Sequence, residues 1–442
     1  YMSHCGRNQY DDPLQIRAVK LLAAQRGFDA FVETLAPKKE RPERVAVIGG
    51  GPAGMALAYF LAREGAKATI FEQRNALGGV VRHAIPAFRI ANDTIENDAE
   101  MLRRLGVTVK LNTPADSAQT LLENGFTHVA MCCGAWAHGS LGIDGEINVL
   151  DFLEKAKKAP DLVTLGKHVI VVGAGNTAMD AARMAKRLEG VEDVTIVYRR
   201  TVCQMPADAE ELTLAQAEEV CFRELLSPVS LANGVLTCEV MRLGEPDESG
   251  RRSPEKTGET VELPCDSLIA VIGDEHDVGL LTANDVKVTT KGRPSERKQN
   301  DRVYVLGDAL RGPATVVEAI ADALETAKDI LGAEPKNVLC QTSEQELLKR
   351  HAGLKDALCP EEEFTRCLGC GRVCLECFDT CPNRANVAVT VDGRQQVVHL
   401  DGRCNECGNC AVFCPYKSAP YRDKWTYFED EAAFRQSENQ GF

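Results

Sequence analysis

The chain has 442 residues, 44% hydrophobic and 26% charged, with 18 cysteines and a net charge of −14. That length predicts two to four domains, since single cores stop growing at roughly 250–300 residues, and the composition excludes a disordered or fibrous chain. So acidic a chain is a poor fit for nucleic acid or an anionic membrane, which need clustered positive charge.

In chain order, residues 1–40 read as a polar lead-in with one helix over 14–26. The start, Tyr1-Met2-Ser3-His4-Cys5, lacks the charged start and apolar run of a signal peptide, so a cytoplasmic setting is expected. A chain opening on a residue other than Met is expected to be part of a longer one. Residues 45–62 carry no charge, but Gly49-Gly50-Gly51-Pro52 breaks any membrane span in the middle. Instead the pattern predicts a strand over 44–48, a glycine turn, a helix over 52–64 and a strand over 67–71. Further strands are expected over 106–111 and 127–131. The same grammar restarts with a strand over 167–172, a glycine turn, a helix over 177–188 and a strand over 193–198. Residues 244–260 are charged and rich in Gly, Pro and Ser, as in a surface hairpin or loop. A strand over 302–306 leads into Gly307-Asp308 and a helix over 315–331, and one more helix is expected over 343–351.

The first turn places Gly49, Gly51 and Gly54 as G-x-G-x-x-G directly after an apolar strand and at a helix start. The first glycine makes the tight turn, the second lets a pyrophosphate approach the backbone, and the third lets helix and strand pack closely. The helix N-terminus offers free N–H groups to phosphates. Glu72, at the end of the second strand, is placed to accept ribose hydroxyls. An acid there suits FAD, which carries no 2′-phosphate.

The second turn repeats the pattern with Gly173, Gly175 and, at the third position, Ala178; Asn176 opens its helix. Arg199-Arg200 replaces the acid at the end of the next strand. Two guanidinium groups suit a 2′-phosphate, so NADPH is expected rather than NADH. Two dinucleotide sites in one chain predict a relay of hydride from nicotinamide to flavin. Gly307-Asp308 and the helix opening Gly312-Pro313-Ala314-Thr315 fit the return of the chain to the FAD domain, as in two-dinucleotide flavoproteins, with Asp308 at the flavin and the helix start at Thr315 facing it.

The cysteines are uneven: seven lie in the first 339 residues and nine between Cys367 and Cys414. Cys404-x2-Cys407-x2-Cys410-x3-Cys414-Pro415 is the bacterial ferredoxin run. Upstream stand Cys367, Cys370, Cys374, Cys377 and Cys381-Pro382. Two such runs predict two [4Fe–4S] clusters, with the fourth cysteine of each run crossing to the other cluster. Cys381 should therefore join Cys404, Cys407 and Cys410, and Cys414 should join the first run. That run has one cysteine too many; Cys370 is the favoured first ligand and Cys367 the spare. Zinc is the alternative for paired CxxC motifs. No close dithiol flanks Gly78-Gly79, and Cys132-Cys133 reads as a pair of small packing residues, so the clusters are the expected outlet for electrons. His83 is given no role.

The fold expected is α/β: two interleaved Rossmann-like dinucleotide-binding domains, for FAD and NADPH, followed by a small α+β two-cluster ferredoxin domain. The boundaries are a lead-in over 1–40, the FAD-binding domain over 41–160 and 301–335, the NADPH-binding domain over 161–300, a linker over 336–360, the ferredoxin domain over 361–420 and a tail over 421–442.

Three stretches carry a resemblance: Leu77-Gly78-Gly79-Val80 to Ile85-Pro86-Ala87-Phe88-Arg89; Gly175 to Arg183; and Val197-Tyr198-Arg199-Arg200-Thr201 with Met205-Pro206-Ala207. Over about residues 10–332 the chain resembles the glutamate synthase small subunit family, which includes the flavin module of dihydropyrimidine dehydrogenase. The resemblance implies NADPH oxidation at FAD, transfer to [4Fe–4S] clusters, and FAD contacts from Gly79, Arg82 and the segment from Gly307-Asp308 to Glu318. It also implies an upstream iron–sulfur domain, of which the lead-in with Cys5 would be a remnant. The order of flavin fold and then ferredoxin is similar to the C-terminal part of the FAD- and iron–sulfur-binding subunits classed as selenate reductases. The expected function is an electron-input oxidoreductase serving a reductase site in the rest of a longer chain or in a separate subunit, with selenate or a purine- or pyrimidine-type heterocycle as acceptor. The alternatives are a glutamate synthase small-subunit-like donor and a non-catalytic electron-carrier scaffold.

Overall fold

The structure, a computed structural model, describes residues 14–35, 39–137, 139–246, 252–273, 276–290, 292–333, 335, 375–391, 394–414, 418–437 and 439. The chain forms two compact units, one of residues 34–336 and one of residues 1–33 with 337–442.

In the larger unit the strands are β1 (Arg44–Ile48), β2 (Lys67–Phe71), β3 (Thr108–Lys110), β4 (His128–Met131), β5 (Glu146–Asn148), β6 (His168–Val172), β7 (Asp193–Tyr198), β8 (Cys221–Glu224), β9 (Leu226–Ala232), β10 (Val235–Pro246), β11 (Arg252–Pro264), β12 (Ser267–Ala270) and β13 (Val303–Val305). They make two parallel five-stranded sheets, ordered β13-β4-β1-β2-β3 and β5-β12-β6-β7-β8, and an antiparallel sheet β11-β10-β9. In each parallel sheet the strand order reverses beside the glycine-turn strand, β1 or β6, and a crevice opens at that switch point.

Burial on both faces explains the apolar runs. Val45, Ala46 and Val47 of β1 are fully buried. Helix Pro52–Arg63 starts on a proline, which has no N–H to lose there, and buries Ala53, Gly54, Leu57, Ala58 and Leu61 on one face. Helix Val316–Leu331 packs against it, so the chain returns to the first sheet after building the second. Asn148 caps helix Val149–Lys158, its Oδ1 accepting the Leu150 N–H at 2.8 Å.

The strands expected over 44–48, 67–71 and 193–198 form with those bounds. The first helix runs Ile16–Glu33, longer than its expected 14–26. Residues 244–260 fall largely in β10 and β11, the arms of a long antiparallel hairpin. Arg252–Pro264 is mostly exposed, so its sequence lacks the apolar alternation that marks a half-buried strand. The helix expected over 343–351 lies outside the described residues.

In the smaller unit, β14 (Asn386–Val391) and β15 (Arg394–Leu400) form a hairpin, and β16 (Thr426–Tyr427) joins β15 in parallel. Short helices Glu376–Asp379 and Asn409–Val412 carry Cys377 and Cys410. Among the described residues no helix is long and apolar enough to cross a membrane.

Candidate functional site

A cleft of about 420 Å³ opens at the carboxyl ends of β1 and β4. Gly49 ends β1 with φ at +105°, and a Cβ there would overlap the Cys132 carbonyl oxygen beyond β4. A Cβ on Gly54 would overlap the Gly49 carbonyl oxygen. Gly51 differs: a Cβ would meet only the Gly79 Cα, at 3.8 Å, and the residue lines the cleft. Gly49 and Gly54 are thus demanded by the turn itself, while Gly51 leaves room for a ligand at the helix N-terminus.

Glu72 is 6% exposed. Its Oε2 accepts the Gly50 N–H and its Oε1 the Arg74 N–H, both at 2.8 Å. The carboxylate therefore shapes the glycine turn as well as lining the cleft. Its remaining lone pairs suit ribose hydroxyls. Gly79 also lines the cleft, packed so tightly that a Cβ would lie 2.9 Å from the Gly51 Cα. Arg82 pairs with Glu96 and is not among the lining residues. Arg74, which no motif marks, lines the cleft, pairs with Glu154 at 2.7 Å and lies 4.3 Å from the Trp136 ring centroid.

Asp308 and Thr315 complete the lining. The Gly307 N–H donates to Asp322 Oδ2 at 3.1 Å, and the Arg311 Nε–H to the same oxygen at 3.0 Å. Buried Asp322 thus holds the turn that presents Asp308, a role with no motif to announce it. Thr315 caps helix Val316–Leu331: its N–H and hydroxyl donate to Glu318 Oε2 at 2.9 and 2.8 Å. Cys132 and Cys133 lie on the same wall. Burial raises the Cys133 thiol to about 11 and drives Cys132 up as well, so both stay protonated at neutral pH and act as apolar lining.

The second cleft, about 410 Å³, opens at the ends of β6 and β12. Gly173 has φ at +143°, and a Cβ would lie 2.6 Å from the Val271 carbonyl oxygen. Gly175 has open space around it, and Ala178, in the third position, is fully buried. Asn176 is a local brace: its Oδ1 accepts the Asp208 N–H at 3.0 Å, and it is absent from the lining. Arg199 and Arg200 both line the cleft. Arg199 is exposed; Arg200 is buried, its Nε–H donating to the Arg252 carbonyl at 3.0 Å. The antiparallel sheet supplies the facing wall through Leu226, Ser227 and Pro228.

The two clefts meet at one segment: Pro313 lines the second, and Ala314 and Thr315 line the first.

In the smaller unit Cys381, Cys404, Cys407 and Cys410 line one small cavity. Backbone N–H groups of Ala385 and Glu406 donate to Cys381 Sγ at 3.2 Å and Cys404 Sγ at 3.3 Å. Cys377 is buried beside Cys410 and Val397 in a small core; Cys414 does not line the cavity. Cys367, Cys370 and Cys374 lie outside the described residues. Among the described residues no three His, Cys, Asp or Glu side chains converge on a point that a single ion could occupy.

Residues 43–323 match the family described as pyridine nucleotide-disulphide oxidoreductase. The chain is 41% identical to the oxidoreductase YgfK of Escherichia coli, covering 99% of this chain and 45% of YgfK. It therefore spans less than half the length of that relative. It is 30% identical to the glutamate synthase [NADPH] small chain of Escherichia coli, covering 66% of this chain and 69% of that one. Among solved structures, Mycobacterium tuberculosis FprA in complex with NADPH shares the fold of the larger unit, with a TM-score of 0.57 at 20% identity over 68% of this chain and 88% of FprA.

Proposed function

The chain belongs to the pyridine nucleotide-disulphide oxidoreductase family, and from that premise we propose that it is the NADPH-oxidising input of a larger electron-transfer protein. The first cleft would hold FAD, the second NADPH, and the cysteine-rich unit, read as a two-cluster ferredoxin domain, two [4Fe–4S] clusters. The observation that carries this reading is the pair of clefts that meet at Pro313-Ala314-Thr315. One has a buried acid at its strand end and the other has two arginines.

When bound, the nicotinamide supplies hydride, the flavin turns a two-electron donation into single-electron steps, and the clusters carry single electrons. The chain's part is to bind and orient. Gly51 and Gly175 leave room for pyrophosphate at two helix N-termini. Glu72 favours a ribose and disfavours a 2′-phosphate; Arg199 and Arg200 do the reverse. The capped helix at Thr315 presents N–H groups toward the first cleft. In the smaller unit, Cys381, Cys404, Cys407 and Cys410 line one cavity and two of their sulfurs accept backbone N–H bonds, an arrangement able to hold a cluster.

YgfK is more than twice as long as this chain, which supports a reductase site elsewhere in a longer chain or in a partner subunit. The acceptor classes proposed are an oxyanion such as selenate and a purine- or pyrimidine-type heterocycle. Adding NADPH to the anaerobic protein tests the input step. Flavin absorbance near 450 nm bleaches if hydride reaches FAD, and unchanged absorbance refutes the proposal. Iron and acid-labile sulfide of about eight each per chain test the two clusters; zinc in their place refutes them.

A further inference from the structure

Asn386 and His399 face each other across the β14–β15 pair, each 1% exposed. His399 Nδ1 and Asn386 Oδ1 lie 3.0 Å apart, with the ring N–H donating to the amide oxygen. The Asn386 Nδ2 donates to the Cys377 carbonyl at 2.9 Å, and the second N–H of the same amide is left for the cavity that the side chain lines. Both side chains line the cavity shared by Cys381, Cys404, Cys407 and Cys410.

Packing alone does not call for this arrangement. Two opposed hairpin positions facing a small core are best filled by apolar residues, because buried amide and imidazole groups are costly unless hydrogen-bonded. The N–H donors from Ala385 and Glu406 to cysteine sulfur belong to the main chain, and most side chains at those positions would preserve them. Asn386 instead offers a donor that depends on the residue itself. His399 decides which end of the amide faces the sulfur. By holding the oxygen it turns the NH2 group toward the Cys377 carbonyl and the cysteine-lined cavity; released, the amide can rotate and present its oxygen to a thiolate.

We infer that the Asn386–His399 pair raises the reduction potential of the cluster bound by Cys381, Cys404, Cys407 and Cys410, with Asn386 as hydrogen-bond donor and His399 as its positioning residue. The inference rests on the cluster reading of the cysteine-rich unit. The physical basis is that a reduced cluster carries one more negative charge, and an N–H aimed at its sulfur stabilises that charge.

An EPR-monitored redox titration of the anaerobic, cluster-loaded full chain tests it. Asn386→Leu keeps the number and branching of the side-chain heavy atoms and removes the donor. It should move the midpoint of one cluster to lower potential, with the other midpoint and the iron content unchanged. Should that variant fail to assemble its cluster, His399→Leu keeps the Asn386 amide and the main-chain donors in place, frees the amide to turn, and should give a shift of the same sign. His399→Gln, which retains an N–H for the amide oxygen, should restore the wild-type value. Wild-type midpoints in fully loaded Asn386→Leu and His399→Leu, or equal shifts of both clusters, would overturn the inference. Wild-type protein without acid-labile sulfide would overturn the cluster reading itself, before any variant is compared.

Discussion

Arg89, in the loop after the Gly78-Gly79 turn, pairs with Asp180, on the helix that opens from the second glycine turn. The pair ties the element beside the first cleft to the element beside the second. Arg89 also pairs with Glu211, and Phe88 lies 4.6 and 4.0 Å from the Arg183 and Arg187 guanidinium carbons. Nearby, the Lys157 ammonium donates to the carbonyls of Val81 at 3.3 Å and Ile85 at 2.5 Å. Two of the stretches that carry the family resemblance, 77–89 and 175–183, therefore meet as one brace between the dinucleotide-binding halves.

The brace has a pH signature. Burial raises the Asp180 carboxyl from 3.8 to about 6, against the opposing pull of Arg89. A folded-state value above the unfolded one means its contribution to stability is complete below about pH 4 and is lost as pH rises through 6. Asp180→Asn removes that titration. Urea unfolding of both proteins from pH 4 to 8 should show a stability difference that changes between about pH 4 and 6 and is flat above 7. A difference that is flat throughout contradicts the assignment.

Arg89→Leu leaves buried Asp180 beside partly buried Glu211 without the cation they share, with Arg183 still 3.7 Å from Glu211. At pH 8 it should destabilise the larger unit by about 2 kcal/mol, the scale for breaking a partly exposed buried pair, and by less at pH 5. Denaturant midpoints at the two pH values check it; equal losses count against the brace.

The glycines of the first turn divide by what they serve. Gly54→Ala sets a methyl group against the Gly49 carbonyl and should cost stability outright. Gly51→Ala should melt normally without cofactor and bind FAD at least tenfold more weakly, because its methyl group enters the cleft rather than the fold. Thermal melts and flavin content separate the two. Wild-type FAD affinity in Gly51→Ala would remove Gly51 from the site.

Arg199→Glu and Arg200→Glu should weaken NADPH far more than NADH. The loss is on the order of tenfold to a hundredfold, the worth of a charge-assisted hydrogen bond. Arg200, held by the Arg252 carbonyl, should show the larger change because its guanidinium is already oriented. Equal losses for both nucleotides would sink the 2′-phosphate assignment.

Cys407→Ser should halve the iron content, from about eight per chain to about four, while exposed Cys203→Ser leaves it unchanged. Unchanged iron in Cys407→Ser would exclude that cysteine as a ligand.

Much of the site was legible because its signals are local. A strand, a glycine turn, a helix and a terminal acid or arginine pair occupy about 30 consecutive residues, although the clashes that require Gly49 and Gly173 come from Cys132 and Val271 on neighbouring strand ends. The ferredoxin spacing is equally compact, and the cavity holding Cys381 with Cys404, Cys407 and Cys410 is the grouping that spacing predicts. Glu72 lines the first cleft, and its bonds to Gly50 and Arg74 are not visible in the sequence, because they depend on how the turn folds back over the strand end. Arg82, for which the resemblance implies a role at the flavin, pairs with Glu96, a partner that no local pattern shows.

The sequence by itself determined which segments take glycine turns at a helix start and which cysteines travel together, since backbone sterics and residue spacing act over a few residues. Tertiary structure alone decided what those segments face. Asp180 meets Arg89 across 91 residues of chain, Leu226, Ser227 and Pro228 wall the second cleft, and Asn386 meets His399 across a hairpin. Such pairings follow from strand order and sheet register, which no local pattern encodes.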